Sequence, residues 1–189
     1  MKKDPILIDK WQTVKVTQGH DYGVFTTKRV DRCHPQTGAV RSYSVIDANH
    51  WVNIVALTPE GTMIFVRQYR HGTDSITLEL PGGMIDEGES SLDAAQRELR
   101  EETGYTSCEW RFLGVTAPNP AIQSNQCSTW LALNATQTHS VDWDPGEIMT
   151  THTLSDDEVK IAVDQGKINH SLVLVALFWY QRFTVNSDT

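Results

Sequence analysis

Cysteine is scarce. Cys33, Cys108 and Cys127 are the three in 189 residues, and no Cys-x-x-Cys pair occurs. That spacing speaks against a thiolate zinc site or a dithiol redox motif, and isolated thiols suit a reduced, cytoplasmic setting. Long apolar runs are missing as well. The longest, residues 172–180, is about half of a membrane span, and the one at residues 5–8 is too short for a signal peptide. No membrane partner is expected. Basic residues are outnumbered, 16 against 24, leaving a formal net charge of −8 and a pI near 5.3. The chain therefore lacks the overall basic character of a non-specific nucleic-acid binder. An acidic protein acting on a phosphate needs local cations, and a bound metal is one source. Low-complexity stretches and internal repeats are absent, which removes linker-like and solenoid architectures.

The composition that remains, 39% hydrophobic and 21% charged, is that of an ordinary globular chain long enough to bury a core. Residues 11–16 and 22–30 alternate apolar and polar positions, as half-buried strands do. His34-Pro35-Gln36-Thr37-Gly38 is a turn signal, and residues 40–46 supply a returning strand. Residues 1–49 are thus expected to form a small antiparallel sheet, marginal alone and needing something to pack on. The main domain is expected over residues 50–189.

Within it, residues 52–57 and 63–69 are apolar-rich and separated by Thr58-Pro59-Glu60-Gly61-Thr62, a pattern that predicts a hairpin with a longer loop. Residues 76–80 predict a strand closed by Pro81-Gly82-Gly83. Residues 90–103 predict a helix, with Ser90 as N-cap, Asp93 in the first turn, an apolar stripe of Leu92, Ala95 and Leu99, and Gly104 as C-terminal cap. Residues 110–115, 129–135 and 147–154 predict further strands. Ser155 and Glu158 form a capping-box pattern at the head of a helix over 155–165. Residues 171–183, apolar around much of their circumference, predict a buried final helix. Trp110, Trp130 and Trp179 fall in apolar patterns and are expected in the core. None of the seven histidines has ligand spacing with another. Strands with interleaved helices give an α+β domain of αβα layers.

The unusual feature is the helix Arg97-Glu98-Leu99-Arg100-Glu101-Glu102. Glu98 and Glu102 are four apart and share a face, and Glu101 flanks the same side. Three carboxylates there repel, and Arg97 and Arg100 offset only part of that. One account is a solvated face of alternating charges. The other is a site for a divalent cation such as Mg²⁺, which takes hard oxygen ligands. Gly82, Gly83 and Gly88 in the preceding loop allow close backbone approach and a tight reversal, so Glu89 and the Gly82 carbonyl can join the site.

Gly83, five residues, Glu89, seven residues, then Arg97-Glu98-Leu99-Arg100-Glu101-Glu102-Thr103-Gly104-Tyr105 resembles the Nudix box, G-x5-E-x7-R-E-U-x-E-E-x-G-U with U a bulky aliphatic. Only Tyr105 departs. The resemblance implies a Nudix αβα sandwich with a mixed sheet, preceded here by the small N-terminal sheet. It implies hydrolysis of a nucleoside diphosphate linked to another group, with Mg²⁺, or Mn²⁺ in its place, as cofactor. Carried over by position, Glu98 and Glu102 would be metal ligands. Glu101 would be a ligand or a catalytic assistant, and the Gly82 carbonyl would complete the shell. Arg97 would orient Glu89 and the other carboxylates.

Beyond the box, Val66-Arg67-Gln68-Tyr69-Arg70, Leu78-Glu79-Leu80-Pro81-Gly82-Gly83 and Pro120 resemble the ADP-ribose pyrophosphatase branch, which implies a nucleotide-sugar substrate and a homodimer through the N-terminal sheet. Asn125 stands where that branch often has an acid. Asp142-Trp143-Asp144-Pro145-Gly146-Glu147 stands where it often carries a late ligand or base. Glu147 fits that position best, and Asp144 is the alternate. Arg70 has two readings, a phosphate contact or a salt bridge to Glu79. Trp51 and Tyr43 either stack on a nucleobase or pack in a core or interface. GDP-mannose, dinucleoside polyphosphates and nucleoside triphosphates are the other substrate classes, and a catalytically silent ligand sensor is the non-enzymatic alternative.

Overall fold

The computed structural model describes residues 8–143, 146 and 148–187. The chain divides into two compact units, one running up to Asn49 together with Asn119–Ser124, the other comprising His50–Pro118 and the residues from Asn125 onward.

The first unit is a meander of β1 (Gln12–Asp21), β2 (Phe25–Cys33) and β3 (Val40–Ala48), antiparallel in that order. Tyr22 and Gly23 turn β1 into β2, where the Gly23 N–H donates to Asp21 Oδ1 at 2.8 Å. His34 and Gly38 close the second turn. The segment around Pro120 joins this unit: the Ile46 N–H donates to the Ile122 carbonyl and the Ser124 N–H to the Ile46 carbonyl. All ten residues of β1 are exposed, and Val30 is the one fully buried hydrophobic side chain of the three strands.

The second unit contains β4 (Trp51–Ala56), β5 (Met63–Arg70), β6 (Ser75–Glu79), α1 (Ser91–Thr103), β7 (Tyr105–Thr106), β8 (Glu109–Thr116), β9 (Cys127–Leu133), β10 (Thr136–Gln137), β11 (Met149–Leu154), α2 (Asp156–Asp164) and α3 (Ser171–Ser187). β4 runs parallel to β9, and β8 is antiparallel to it, giving a mixed sheet. A second sheet has the order β11-β5-β6, and β10 pairs with β7.

Both faces of the central strands are apolar, so alternate residues serve two cores. Ile54, Ala56, Ile64 and Ala132 meet Ala94, Ala95 and Leu99 of α1. Val55, Met63, Phe65 and Leu131 meet Val159 and Ala162 of α2 and Val173 and Ala176 of α3. These are the three layers of an α+β, αβα domain. Helix α1 forms where local signals agree. The Ser90 side chain accepts from the Asp93 N–H, and Gly104 is left-handed at φ 75° with its N–H on the Arg100 carbonyl. In α2, Ser155 and Glu158 make both bonds of the capping box.

Two expectations are corrected. β4 and β5 do not form a hairpin. They touch at one bridge, Leu57 to Met63, and then diverge into different sheets, because the stronger pairings lie with β9 and β11. The last helix is not buried all round. Val173 and Ala176 are, but Leu174, Phe178 and Val185 are exposed, since α3 covers only one side of the sheet. The tryptophans Trp110 and Trp130 pack half-buried against the α1 core, and Trp179 is half-buried against Gly114. No helix among the described residues is long and apolar enough to cross a membrane.

Gly114 locks α3 to β8. A Cβ there would sit 2.7 Å from the Trp179 ring. Gly114→Ala is therefore expected to destabilise the domain by about 1–3 kcal/mol through overpacking, measured as a lower urea midpoint with an unchanged slope.

Candidate functional site

Helix α1 buries Ala94, Ala95 and Leu99 and turns its carboxylates toward the loop that precedes it. Arg97 stands at the centre. Its Nε and Nη2 donate to the two oxygens of Glu89 at 3.0 and 2.9 Å. Its Nη1 donates to Glu98 at 2.8 Å and to Glu101 at 3.2 Å, and Nη2 also reaches the Met84 carbonyl at 2.9 Å. One planar guanidinium thus ties three carboxylates and the loop backbone together. These bonds, led by those to Glu89, hold the Arg97 pKa well above its ordinary value. In return, the hydrogen bond from Arg97 holds the Glu89 carboxyl below its usual range, helped by the Asp86 N–H and opposed by burial. Arg100 pairs with the other oxygen of Glu101 at 3.0 Å.

Glu102 is 5% exposed, and its Oε2 accepts the Gly82 N–H at 2.9 Å. The two glycines have separate steric reasons. A Cβ on Gly82 would lie 2.8 Å from the Asn53 Cα and overlap the Val52 carbonyl. One on Gly83 would run into the Glu98 carboxylate, with its Cδ at 2.6 Å. The loop backbone therefore lies directly against Glu98 and Glu102.

Among the described residues no three His, Cys, Asp or Glu side chains already converge as a metal shell, and Arg97 holds both oxygens of Glu89 and one each of Glu98 and Glu101. The donor chemistry nonetheless fits a hard divalent cation. Four carboxylates share one helix end and loop, all with limited water access, and the nearby arginines do not balance them.

Arg70 and Glu79 are brought together on β5 and β6. The guanidinium is bidentate on the carboxylate, with both bonds at 2.8 Å. Thr77, two residues before Glu79 on the same strand face, donates to it at 2.6 Å, and His170 Nε2 stands 3.9 Å away. Burial works to raise the Glu79 carboxyl. The bonds from Arg70 and Thr77, with the charges of Arg70 and His170, outweigh it and hold the group below its usual range. Trp51 is half-buried at the start of β4, opposite Cys127 and bridged to Met84 of the box loop. Pro120 and Tyr43 belong to the other unit. Asp144 and Glu147 lie outside the described residues. Sequence reasoning missed Met84, Thr77, His170 and Trp143. Thr77 was detectable from the period-2 spacing to Glu79, whereas the others contact the site through backbone groups or distant segments.

The NUDIX domain model matches residues 50–172, so the chain belongs to the Nudix family. Within it, the chain is 25% identical over 154 residues to the methanol dehydrogenase activator of Bacillus methanolicus, covering 81% of this chain and 83% of that protein. It is 30% identical over 123 residues to the ADP-ribose pyrophosphatase of Mycobacterium tuberculosis, covering 65% of this chain and 59% of the relative. A solved structure described as an ADP compounds hydrolase superposes with a TM-score of 0.85 at 25% identity, over 96% of this chain and 98% of that one.

Because the Glu79 and Glu89 carboxyls sit below their ordinary value of 4.5, the stability they contribute is fully present above that value. It is lost as the pH falls through their lower folded values. Arg70→Leu strips Glu79 of its bidentate partner and leaves burial to raise it. The variant is expected to be less stable than wild type near neutral pH and to show a shallower loss of stability between about pH 5 and 3, measured by urea midpoints across that range.

Proposed function

We propose that this chain is a pyrophosphohydrolase that cleaves the diphosphate of ADP-ribose or a related nucleoside diphosphate sugar, releasing a nucleoside monophosphate and a sugar phosphate. The observation that carries this is one arginine holding Glu89, Glu98 and Glu101 while Glu98 and Glu102 lie against the Gly82–Gly83 backbone. The names of the relatives support the substrate class.

Glu98, Glu101 and Glu102 with the Gly82 carbonyl would hold the metal, Mg²⁺ in the cell and Mn²⁺ as its substitute. When bound, the ion supplies charge neutralisation of the diphosphate and a more acidic water. The chain's own residues do the rest. Arg97 fixes the carboxylates so that they need not reorganise during the reaction. Glu101, bonded to arginines at both oxygens, would serve as a ligand or as a catalytic assistant to the other two. Glu147 and Asp144 are the other candidates for a late ligand or base. Arg70, set by Glu79, presents a planar cation to a substrate phosphate. Trp51, on the strand adjoining the box loop, offers a ring to the nucleobase, and Pro120 shapes the loop beyond.

The same reading extends to a homodimer and a cytoplasmic setting. Residues 1–49 carry a formal charge of +3, and the remainder of the chain carries −11. An exposed basic sheet, with Val14, Val16 and Val40 at its surface, complements the acidic domain of a second copy. Cys33, Cys108 and Cys127 are free thiols, as reducing surroundings keep them. Burial pushes the Cys127 thiol up to about 12, which makes it inert.

The test is a hydrolysis panel of ADP-ribose, GDP-mannose, UDP-glucose, a dinucleoside polyphosphate and the common triphosphates with Mg²⁺, with products identified by chromatography. Nucleoside monophosphate plus sugar phosphate is the expected outcome. Turnover of triphosphates or polyphosphates alone would overturn the substrate class. Glu102→Gln should lower kcat about 100-fold or more with a far-UV spectrum like wild type; wild-type rates at saturating Mg²⁺ would remove Glu102 from the ligand set. Gly83→Ala must push the Glu98 carboxylate aside, which is cheap for a flexible side chain. Its melting temperature should stay close to wild type while kcat falls about 10-fold or more.

A further inference from the structure

The segment after β9 closes over the C-terminal end of α1. The Thr138 and His139 N–H groups both donate to the Gly104 carbonyl, at 3.0 and 3.1 Å, and the Asp142 N–H donates to the Glu101 carbonyl at 2.9 Å. The Trp143 indole Nε1–H donates to the Glu102 carbonyl at 3.1 Å. Any Cβ on Gly104 would overlap the His139 carbonyl, so this strap lies hard against the helix end. The last carbonyls of a helix have no intrahelical donors and take their direction from whatever caps them. Here the caps fall on Glu101 and Glu102.

Glu102 is therefore held at two ends. Its carboxylate takes the Gly82 N–H on one side, and its main-chain carbonyl takes the Trp143 indole on the other. A buried acidic side chain so constrained has little freedom to choose where its second oxygen points. We infer that Trp143 is a positioning residue for the carboxylate cluster, setting the last turn of α1 so that Glu102 presents its carboxylate in one orientation for a divalent cation. This rests on the metal-dependent reading above. The effect passes through the main chain of the ligand residue, and the loss on removing the donor is expected at the lower end of the range for groups that orient metal ligands, about 10-fold.

The experiment is Mn²⁺ titration of the full chain without substrate, following free Mn²⁺ by electron paramagnetic resonance, for wild type and Trp143→Phe. It is paired with kcat and KM for ADP-ribose and with a thermal melt. The expected result is about 10-fold weaker Mn²⁺ binding, a raised Mg²⁺ requirement, and an unchanged KM once metal saturates, since the substrate contacts stay in place. A purely structural role would lower the melting temperature and leave Mn²⁺ affinity alone, and that result overturns the inference. If Trp143→Phe does not fold, the same titration is run with 3-benzothienylalanine at position 143, which keeps the ring shape and lacks the N–H. Wild-type Mn²⁺ affinity in that protein likewise overturns the assignment. Failure of the wild-type chain to bind Mn²⁺ would defeat the metal reading and this inference with it. Equal binding by wild type and variant defeats the role of Trp143 alone.

Discussion

The hold of Arg97 on Glu89, Glu98 and Glu101 is the interaction on which the site depends. Carboxylates spaced three and four apart on a helix repel one another, and the surrounding loop reduces their access to water. A lysine in that place would bring a point charge. Arginine brings a planar fork that meets Glu89 with two parallel bonds and still reaches two further acids and the Met84 carbonyl. The consequence is mechanical as much as electrostatic. The loop from Met84 to Glu89 and the helix from Glu98 to Glu101 cannot move independently while this guanidinium spans them.

The rest of the domain supplies a frame for that unit. Leu99, fully buried, lies between Glu98 and Arg100 in sequence and about 100° of helix rotation from each. Burying Ala94, Ala95 and Leu99 against β4 and β5 fixes the helix's rotation about its own axis, and so the direction in which the acids point. The close packing of Gly82 on the β4 backbone and of Gly83 on Glu98 sets the distance. A side chain at Gly82 would push the loop off β4, and one at Gly83 would displace the Glu98 carboxylate.

Local features were legible in the sequence because their physics is local. The Ser90 and Gly104 caps, the Ser155–Glu158 box and the N-terminal strands each rest on residues a few positions apart. Partner choice was not. Their apolar-rich runs mark β4 and β5 as strands but say nothing about which strand each will meet, and the loop at residues 58–62 suggested a hairpin that the pairing with β9 and β11 displaced. The same limit applies to α3, whose composition is apolar all round although the sheet needs only one of its faces. At the site, the spacing of the box acids was readable, whereas the bond from Trp143 to the Glu102 carbonyl spans 41 residues and ends on a backbone atom, which leaves no mark on side-chain identity. The Arg70–Glu79 contact lies between these cases. Both of its readings were open in the sequence, and a bidentate pair with Thr77 behind it is a geometry that also suits an arginine held ready for a phosphate.

Charge explains why the box acids and the substrate class belong together. The domain beyond residue 49 carries eight basic residues against nineteen acidic ones, and Arg70, Arg97, Arg100, Arg111 and Lys160 all lie in ion pairs with its own acids. A diphosphate approaching such a surface meets a field of its own sign. Repulsion of this kind is weakly screened where water is excluded, so side-chain cations already committed to carboxylates cannot by themselves make the site attractive. On the proposed function, a divalent ion would reverse the sign at the box carboxylates, where hard oxygen donors are concentrated. On the proposed function, the acidity of the chain, which argues against nucleic acid as a partner, is the same property that calls for a diphosphate to arrive with a metal ion.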